Sequence, residues 1–213
     1  MQTVQTWSQL IAIGTSTGGP KALEHVLKPL PGDFPYPILI VQHMPAGFTR
    51  SLAERLNQQS RLSVMEAAQG QAVRAGEVYI APGGFHMLLR RGRDGQGYIL
   101  HLDREPPVFG HRPSVDRLFD SIWPHLSLRS VLILLTGMGR DGAEAMKRGK
   151  ESGRCITWAE AAETCVVNGM PGAAVRLGCV DAVVPLQEMA GKLLRLAEDS
   201  AKEGGEGTSW ISI

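Results

Sequence analysis

A hydroxyl, an imidazole and a carboxylate stand at three widely spaced turns of this 213-residue chain, on Ser16, His43 and Asp141. Ser16 lies in Gly14-Thr15-Ser16-Thr17-Gly18, the G-x-S-x-G spacing whose small residues relieve crowding when a serine sits on a sharp strand-to-helix turn. A serine hydroxyl is a poor nucleophile until a base takes its proton. Histidine titrates in the right range, and a carboxylate on its other ring nitrogen fixes the tautomer and stabilises the imidazolium. Met138, in the turn that carries Asp141, has a backbone amide placed to donate to an oxyanion. Such a set would perform acyl transfer from an ester or an amide. Each member also has an ordinary reading. A glycine-rich turn between strand and helix cradles anions, His43 could cap or pack, and an Asp before a helix commonly caps it.

The elements that must position these groups follow from the apolar pattern. Leu10-Ile11-Ala12-Ile13, Ile38-Leu39-Ile40-Val41 and Val131 to Leu135 are short, continuous apolar runs ended by polar or glycine-rich turns, as expected of buried parallel strands. Pro20 suits the first turn of a helix, and Lys21 to Lys28 carries Ala22, Leu23, Val26 and Leu27 at helical spacing. Gly47 to Gln59 reads as a second helix. Two strand–helix units in a row imply an α/β fold around a parallel sheet, whose C-terminal strand ends share the edge where ligands bind. Ser16, His43 and Asp141 each follow such a strand, so the three would converge from distant parts of the sequence.

Shorter elements fill the middle. Ser63 to Glu66 and Val78 to Ala81 read as strands, and Phe85 to Arg91 and Gly97 to Leu102 as an antiparallel hairpin about Gly92-Arg93-Asp94-Gly95. Arg90, Arg91 and Arg93 give that hairpin a solvated basic tip or, in the sharper reading, an electrostatic guide for an acidic partner. Ser114 is a candidate cap for a helix through Val115, Leu118, Phe119 and Ile122. Helices are expected over Ala143 to Ser152, Pro171 to Leu177 and Gln187 to Glu198, and strands over Cys155 to Trp158 and Val180 to Val184. Residues 1–9 form a polar lead-in, 10–200 a single domain, and 201–213 a loose, glycine-rich tail. Of the six histidines, His43 alone directly follows a buried strand. His25 and His125 fall in expected helices, and His86, His101 and His111 are candidates to line a pocket.

The composition excludes several classes. A net charge of +1 lacks the basic excess of a nucleic-acid binder, and no apolar stretch approaches a membrane span. The N-terminus has no charged segment followed by an apolar core, which argues against a signal peptide and for a cytoplasmic protein. The three cysteines, Cys155, Cys165 and Cys179, have no C-x-x-C spacing and suit reduced, buried thiols. Neither HExxH nor clustered metal-ligand spacing is present, so neither metal nor cofactor is expected. The order Ser, His, Asp also departs from the α/β-hydrolase order.

Six stretches together resemble a known family: G-T-S-T-G-G-P at 14–20, Q-H-M-P at 42–45, Y-I-A-P-G at 79–83, H-R-P-S-V-D-x-L-F at 111–119, L-T-G-M-G-x-D-G-A at 135–143 and G-M-P-x-A-A at 169–174. From about Leu10 to Leu196 the chain is similar to the catalytic domain of the CheB-type chemotaxis methylesterases. The resemblance implies a doubly wound, mostly parallel sheet with helices on both faces and an antiparallel hairpin near the active-site edge. It implies hydrolysis of glutamate γ-methyl esters on the cytoplasmic helices of methyl-accepting chemoreceptors, with release of methanol and with deamidation of receptor glutamines as a related activity. Ser16, His43 and Asp141 take the catalytic positions, and the amides of Thr17 and Met138 the oxyanion hole. Family members usually carry an N-terminal receiver domain that blocks the site until it is phosphorylated. Only nine residues precede the first strand here, so the expectation is a free-standing esterase or the catalytic part of a longer protein, with a receiver supplied separately. The family pattern of a Gln and an acidic residue two later, just before C-V-V-x-G-M-P, is altered to Trp158-Ala159-Glu160-Ala161-Ala162-Glu163. Two other readings remain: a serine amidase or deamidase acting on another protein, and a non-catalytic anion-binding module built on Gly14–Pro20.

Overall fold

The computed structural model describes residues 7, 9–92, 95, 97–125 and 128–203. Its centre is a seven-stranded sheet in the order β3-β4-β2-β1-β7-β8-β9. The strands are β1 (Gln9–Thr15), β2 (Ile38–Gln42), β3 (Ser63–Glu66), β4 (Glu77–Ile80), β7 (Arg129–Leu134), β8 (Cys155–Glu160) and β9 (Ala182–Val184). Every neighbouring pair is parallel. A separate antiparallel pair is formed by β5 (His86–Arg91) and β6 (Tyr98–Asp103).

Helices cover both faces, which is why the central strands are apolar at every position rather than at alternate ones. Ile11 and Ile13 of β1 point into a core shared with α1 (Gly19–Leu27), α2 (Phe48–Gln59) and α6 (Leu186–Glu203). Leu10 and Ala12 point the other way, against α3 (Val115–Asp120), α4 (Ala143–Glu151), α5 (Met170–Arg176) and the β5–β6 pair. Each fully buried Leu or Ile contributes about 1.5–3 kcal/mol, so the centre of the sheet is a rigid platform for whatever its ends carry.

The chain runs outward from β1 in both directions, through β2 to β4 and β3 on one side and through β7 to β8 and β9 on the other. Beside such a reversal the loops after neighbouring strands part and leave a crevice at the C-terminal edge. The expected doubly wound sheet and hairpin are both present. The expected helix after Ser114 is shorter than its apolar spacing suggests: α3 ends at Asp120, and His125 lies beyond it rather than within a helix. Pro124 explains the stop, because a proline disfavours the α conformation in the residue before it and removes a helical donor. At the other end α6 runs through Glu203, into the segment read as a tail, while residues 204–213 lie outside the described residues. Arg93 and Asp94 of the expected hairpin turn do so as well.

Candidate active site

Ser16 is the first residue past β1, His43 the first past β2, and Asp141 lies in the turn between β7 and α4. Strand register sets the first two side by side, since Thr15 pairs with Gln42 and the His43 amide donates to the Thr15 carbonyl at 3.1 Å. Ser16 and His43 line one cavity of about 390 Å³ with Met44, Pro45, Gly110, His111, Arg112 and Pro113.

Nε2 of His43 meets Oδ2 of Asp141 at 2.7 Å. The other ring nitrogen, Nδ1, is buried and has no hydrogen-bond partner among the described residues. With Asp141 ionised, that contact places the ring proton on Nε2 and leaves a lone pair on Nδ1. The carboxylate is 1 % exposed. Burial alone would raise its pKa, but donors from His43, the Asp116 amide and the Val115 amide outweigh burial and hold it below its ordinary value.

Asp141 does not cap the helix that follows it. Gly142, at φ 94°, occupies that N-cap position, a left-handed conformation that glycine adopts without strain. The carboxylate reaches instead to the start of α3. Oδ1 accepts from Ser114 Oγ at 2.8 Å and from the Asp116 amide at 3.0 Å, and Oδ2 accepts from the Val115 amide at 2.7 Å. Ser114 is the N-cap of α3, as its sequence context suggests, and it also orients Asp141. Sequence spacing gave no signal of that second contact, because 27 residues separate the two.

The peptides near Ser16 are held from two sides. Its amide donates to the Thr136 carbonyl at 3.0 Å, and Thr136 Oγ1 donates to the Thr17 carbonyl at 2.9 Å. Val167 in turn donates to Thr136 Oγ1 at 2.9 Å. These bonds tie the Ser16 turn to the turn after β7, which carries Met138. The Thr17 and Met138 amides find no acceptor among the described residues. A Cβ on Gly137 would stand 2.8 Å from that of Ser16, so only glycine lets the two turns approach this closely.

The remaining histidines sort cleanly. His111 lines the cavity and stacks on His43. His86 is buried, accepts from the Ser114 amide at 3.2 Å on Nδ1 and contacts the Pro106 carbonyl through Nε2, which makes it a support for the start of α3. His101 contacts Gln69 on the outer surface, His25 lies exposed on α1, and His125 contacts the Leu89 carbonyl. Cys155 and Cys179 are buried, but Cys165 is only partly so. Its thiol is pushed up to about 12 by burial and by Glu160, which removes it as a nucleophile at neutral pH. Among the described residues no helix is long and apolar enough to cross a membrane.

The chain as a whole is similar to known proteins. A family model described as CheB methylesterase matches residues 11–193. A protein-glutamate methylesterase/protein-glutamine glutaminase of Halalkalibacterium halodurans is 51% identical over 186 residues, covering 87% of this chain and 53% of that protein. One of the same name from Symbiobacterium thermophilum is 50% identical over 187 residues, covering 88% and 50%. The chain thus spans about half the length of the curated relatives it matches. The crystal structure of the Thermotoga maritima CheB methylesterase catalytic domain superposes with a TM-score of 0.85 at 41% identity, over 90% of this chain and 100% of that one.

Proposed function

The chain belongs to the CheB methylesterase family, and from that premise we propose that it hydrolyses γ-methyl esters of protein glutamates through Ser16, His43 and Asp141. Its substrate is a methylated chemoreceptor, reached at the receptor's cytoplasmic helices. The observation that carries the reading is the 2.7 Å contact of His43 Nε2 with Asp141, made while Nδ1 stays unpartnered in a ring that shares its cavity with Ser16.

In this reading Nδ1, not Nε2, is the base. Ser16 Oγ attacks the ester carbonyl as its proton passes to Nδ1, and the Thr17 and Met138 amides receive the oxyanion. The imidazolium, steadied by Asp141, returns the proton to the departing methoxy group, and methanol leaves. Water activated by the same nitrogen then cleaves the acyl-enzyme to a glutamate carboxylate, freeing Ser16. An amide in place of the ester releases ammonia by the same steps, in keeping with the glutaminase half of the relatives' names. Regulation of the site by a receiver, as the family resemblance implies, belongs to the same proposal.

Methanol release from radiolabelled receptor membranes tests the reading. Ser16→Ala should abolish most of it without unfolding the chain, and near-normal release by that variant rejects Ser16 as nucleophile. Ammonia release without methanol release would assign the protein as a deamidase.

A further inference from the structure

We propose that Gln42 is a positioning residue for this hydrolysis: its side-chain amide ties the turn that carries Ser16 to the turn that carries His43, and so fixes the hydroxyl relative to the imidazole. The inference rests on the reading of those two residues as nucleophile and base. Gln42 Nε2 donates to the Ser16 carbonyl at 3.0 Å and to the His43 carbonyl at 3.1 Å. One NH2 group therefore stands between the two backbones directly after the two functional side chains.

Strand register explains how a residue of β2 reaches Ser16. Gln42 pairs with Thr15 and shares a sheet face with Ile38 and Ile40, the face that packs against α1. From there its amide needs to extend only one residue along the neighbouring strand. Space for it exists because α1 begins with glycine. A Cβ on Gly19 would fall on Gln42 Oε1 and lie 2.9 Å from Thr15 Cγ2.

The arrangement is poor for stability. Gln42 is 2 % exposed, and its Oε1 is buried with no hydrogen-bond partner among the described residues. Methionine, of similar length, would avoid that unsatisfied acceptor. A native core retains such an atom where its partner atom has work to do, and here the work is the two bonds made by Nε2. The Ser16 peptide keeps other anchors without Gln42, since its amide donates to Thr136 and its carbonyl accepts from the Gly19 amide at 2.9 Å. Loss of Gln42 therefore leaves each turn formed, and the His43 amide on the Thr15 carbonyl, but removes the side-chain group that reaches both the Ser16 and the His43 carbonyls.

The test measures methanol release from radiolabelled receptor membranes, and the rate at which a fluorophosphonate labels Ser16, for the parent chain and for Gln42→Met. A misplacement of the order of 1 Å between reacting groups costs up to about 100-fold in rate. The expected result is a fall in kcat of about 10- to 100-fold with KM within about twofold, and a parallel fall in labelling rate. In a His43→Ala background the same substitution should have no further effect, because no base remains to be positioned. Gln42→Asn keeps the amide but is too short to span both carbonyls, so it should behave alike; it serves where Gln42→Met does not fold.

Parent-like kcat in a folded variant overturns the proposal. So does a loss of equal size with and without His43, or the failure of both variants to fold, each of which makes Gln42 a structural residue. Full methanol release by Ser16→Ala, measured alongside, would instead overturn the nucleophile reading on which the proposal stands.

Discussion

Asp141 and Asp116 cap each other's helices. Asp141, just before α4, accepts the first amides of α3 from Val115 and Asp116, and Asp116, on α3, accepts the Ala145 amide in the first turn of α4 at 2.9 Å. Two carboxylates thus share a small buried space, one of them holding His43. Burial pushes the Asp116 carboxyl from 3.8 up to about 6; the Ala145 amide opposes the rise and the Asp141 charge adds to it. A folded value above the unfolded one means stability that is complete below about pH 3.8 and is lost as pH rises through about 6. Roughly two units correspond to about 3 kcal/mol. Asp116→Asn retains an acceptor for Ala145 but cannot ionise. It should exceed the parent in stability by about 1–3 kcal/mol at pH 8 and match it near pH 4, as read by denaturant unfolding at the two pH values.

Asp141→Asn should do the opposite. The carboxylate accepts four hydrogen bonds, from His43, Ser114 and two amides. Asparagine offers one oxygen, and its NH2 group would confront donors. We expect kcat to fall by about 10³- to 10⁴-fold through a misoriented base, and unfolding free energy to fall by about 2 kcal/mol through unsatisfied donors at the start of α3. Because the folded carboxyl lies below its ordinary value, its contribution is present above about pH 3.8 and is lost as acid takes the pH through the lower folded value. The asparagine variant should lack that part of the acid transition.

His111 lies flat on His43, ring centroids 3.8 Å apart and planes 6° from parallel. Burial lowers the His111 pKa below 6.5, as does the neighbouring His43, while Asp141 opposes, so near neutral pH it is an uncharged plate against the base. A stacked aromatic pair contributes about 0.5–1.5 kcal/mol, equivalent to roughly 2- to 10-fold in rate where the stack holds the reactive rotamer. His111→Ala should lower kcat within that range and His111→Phe should restore it. Methanol release by the two variants at pH 7.5 distinguishes a plate from a proton carrier, since the phenyl ring cannot titrate.

The strands that carry Ser16, His43 and Asp141 were legible because buried parallel strands show themselves as unbroken apolar runs. A polar turn after each such run marks the functional edge of the sheet. Which ring nitrogen faces Asp141 was not legible, because the geometry that turns His43 depends on where α3 packs. The same holds for Ser114: its local role as a cap is written in its neighbours, whereas its bond to Asp141 exists only once α3 and α4 meet. Gln42 reads in sequence as the polar end of a strand, and only the register with Thr15 reveals what its amide reaches. The apolar spacing through Ile122 reads as a helix that would carry His125, and Pro124 is the local signal that α3 stops short of it.

The altered segment before Cys165 yields a last prediction. Glu160 is 1 % exposed; its Oε2 accepts the Thr136 amide at 2.8 Å and its Oε1 accepts Thr164 Oγ1 at 3.0 Å. It therefore props the residue whose hydroxyl and carbonyl hold Thr17 and Ser16. Burial raises its pKa, with the Thr136 and Thr164 donors opposing, so the charged form is a strained tenant at alkaline pH. A glutamine can make the same network without charge. Its oxygen accepts from Thr136, its NH2 donates to Thr164 Oγ1, and that hydroxyl turns its proton to the Ala161 carbonyl, already 3.1 Å away. Because the glutamate's folded value lies above its unfolded one, its stabilising contribution is lost as pH rises through the folded value. Glu160→Gln should therefore gain stability at pH 8 and not at pH 4, by about 1 kcal/mol or roughly 2–4 °C in Tm. Since Thr136 stays in place, kcat should remain within about threefold of the parent. A thermal scan at the two pH values, with methanol release measured beside it, separates a prop from a participant: loss of turnover at unchanged Tm would mean that the carboxylate itself enters the chemistry.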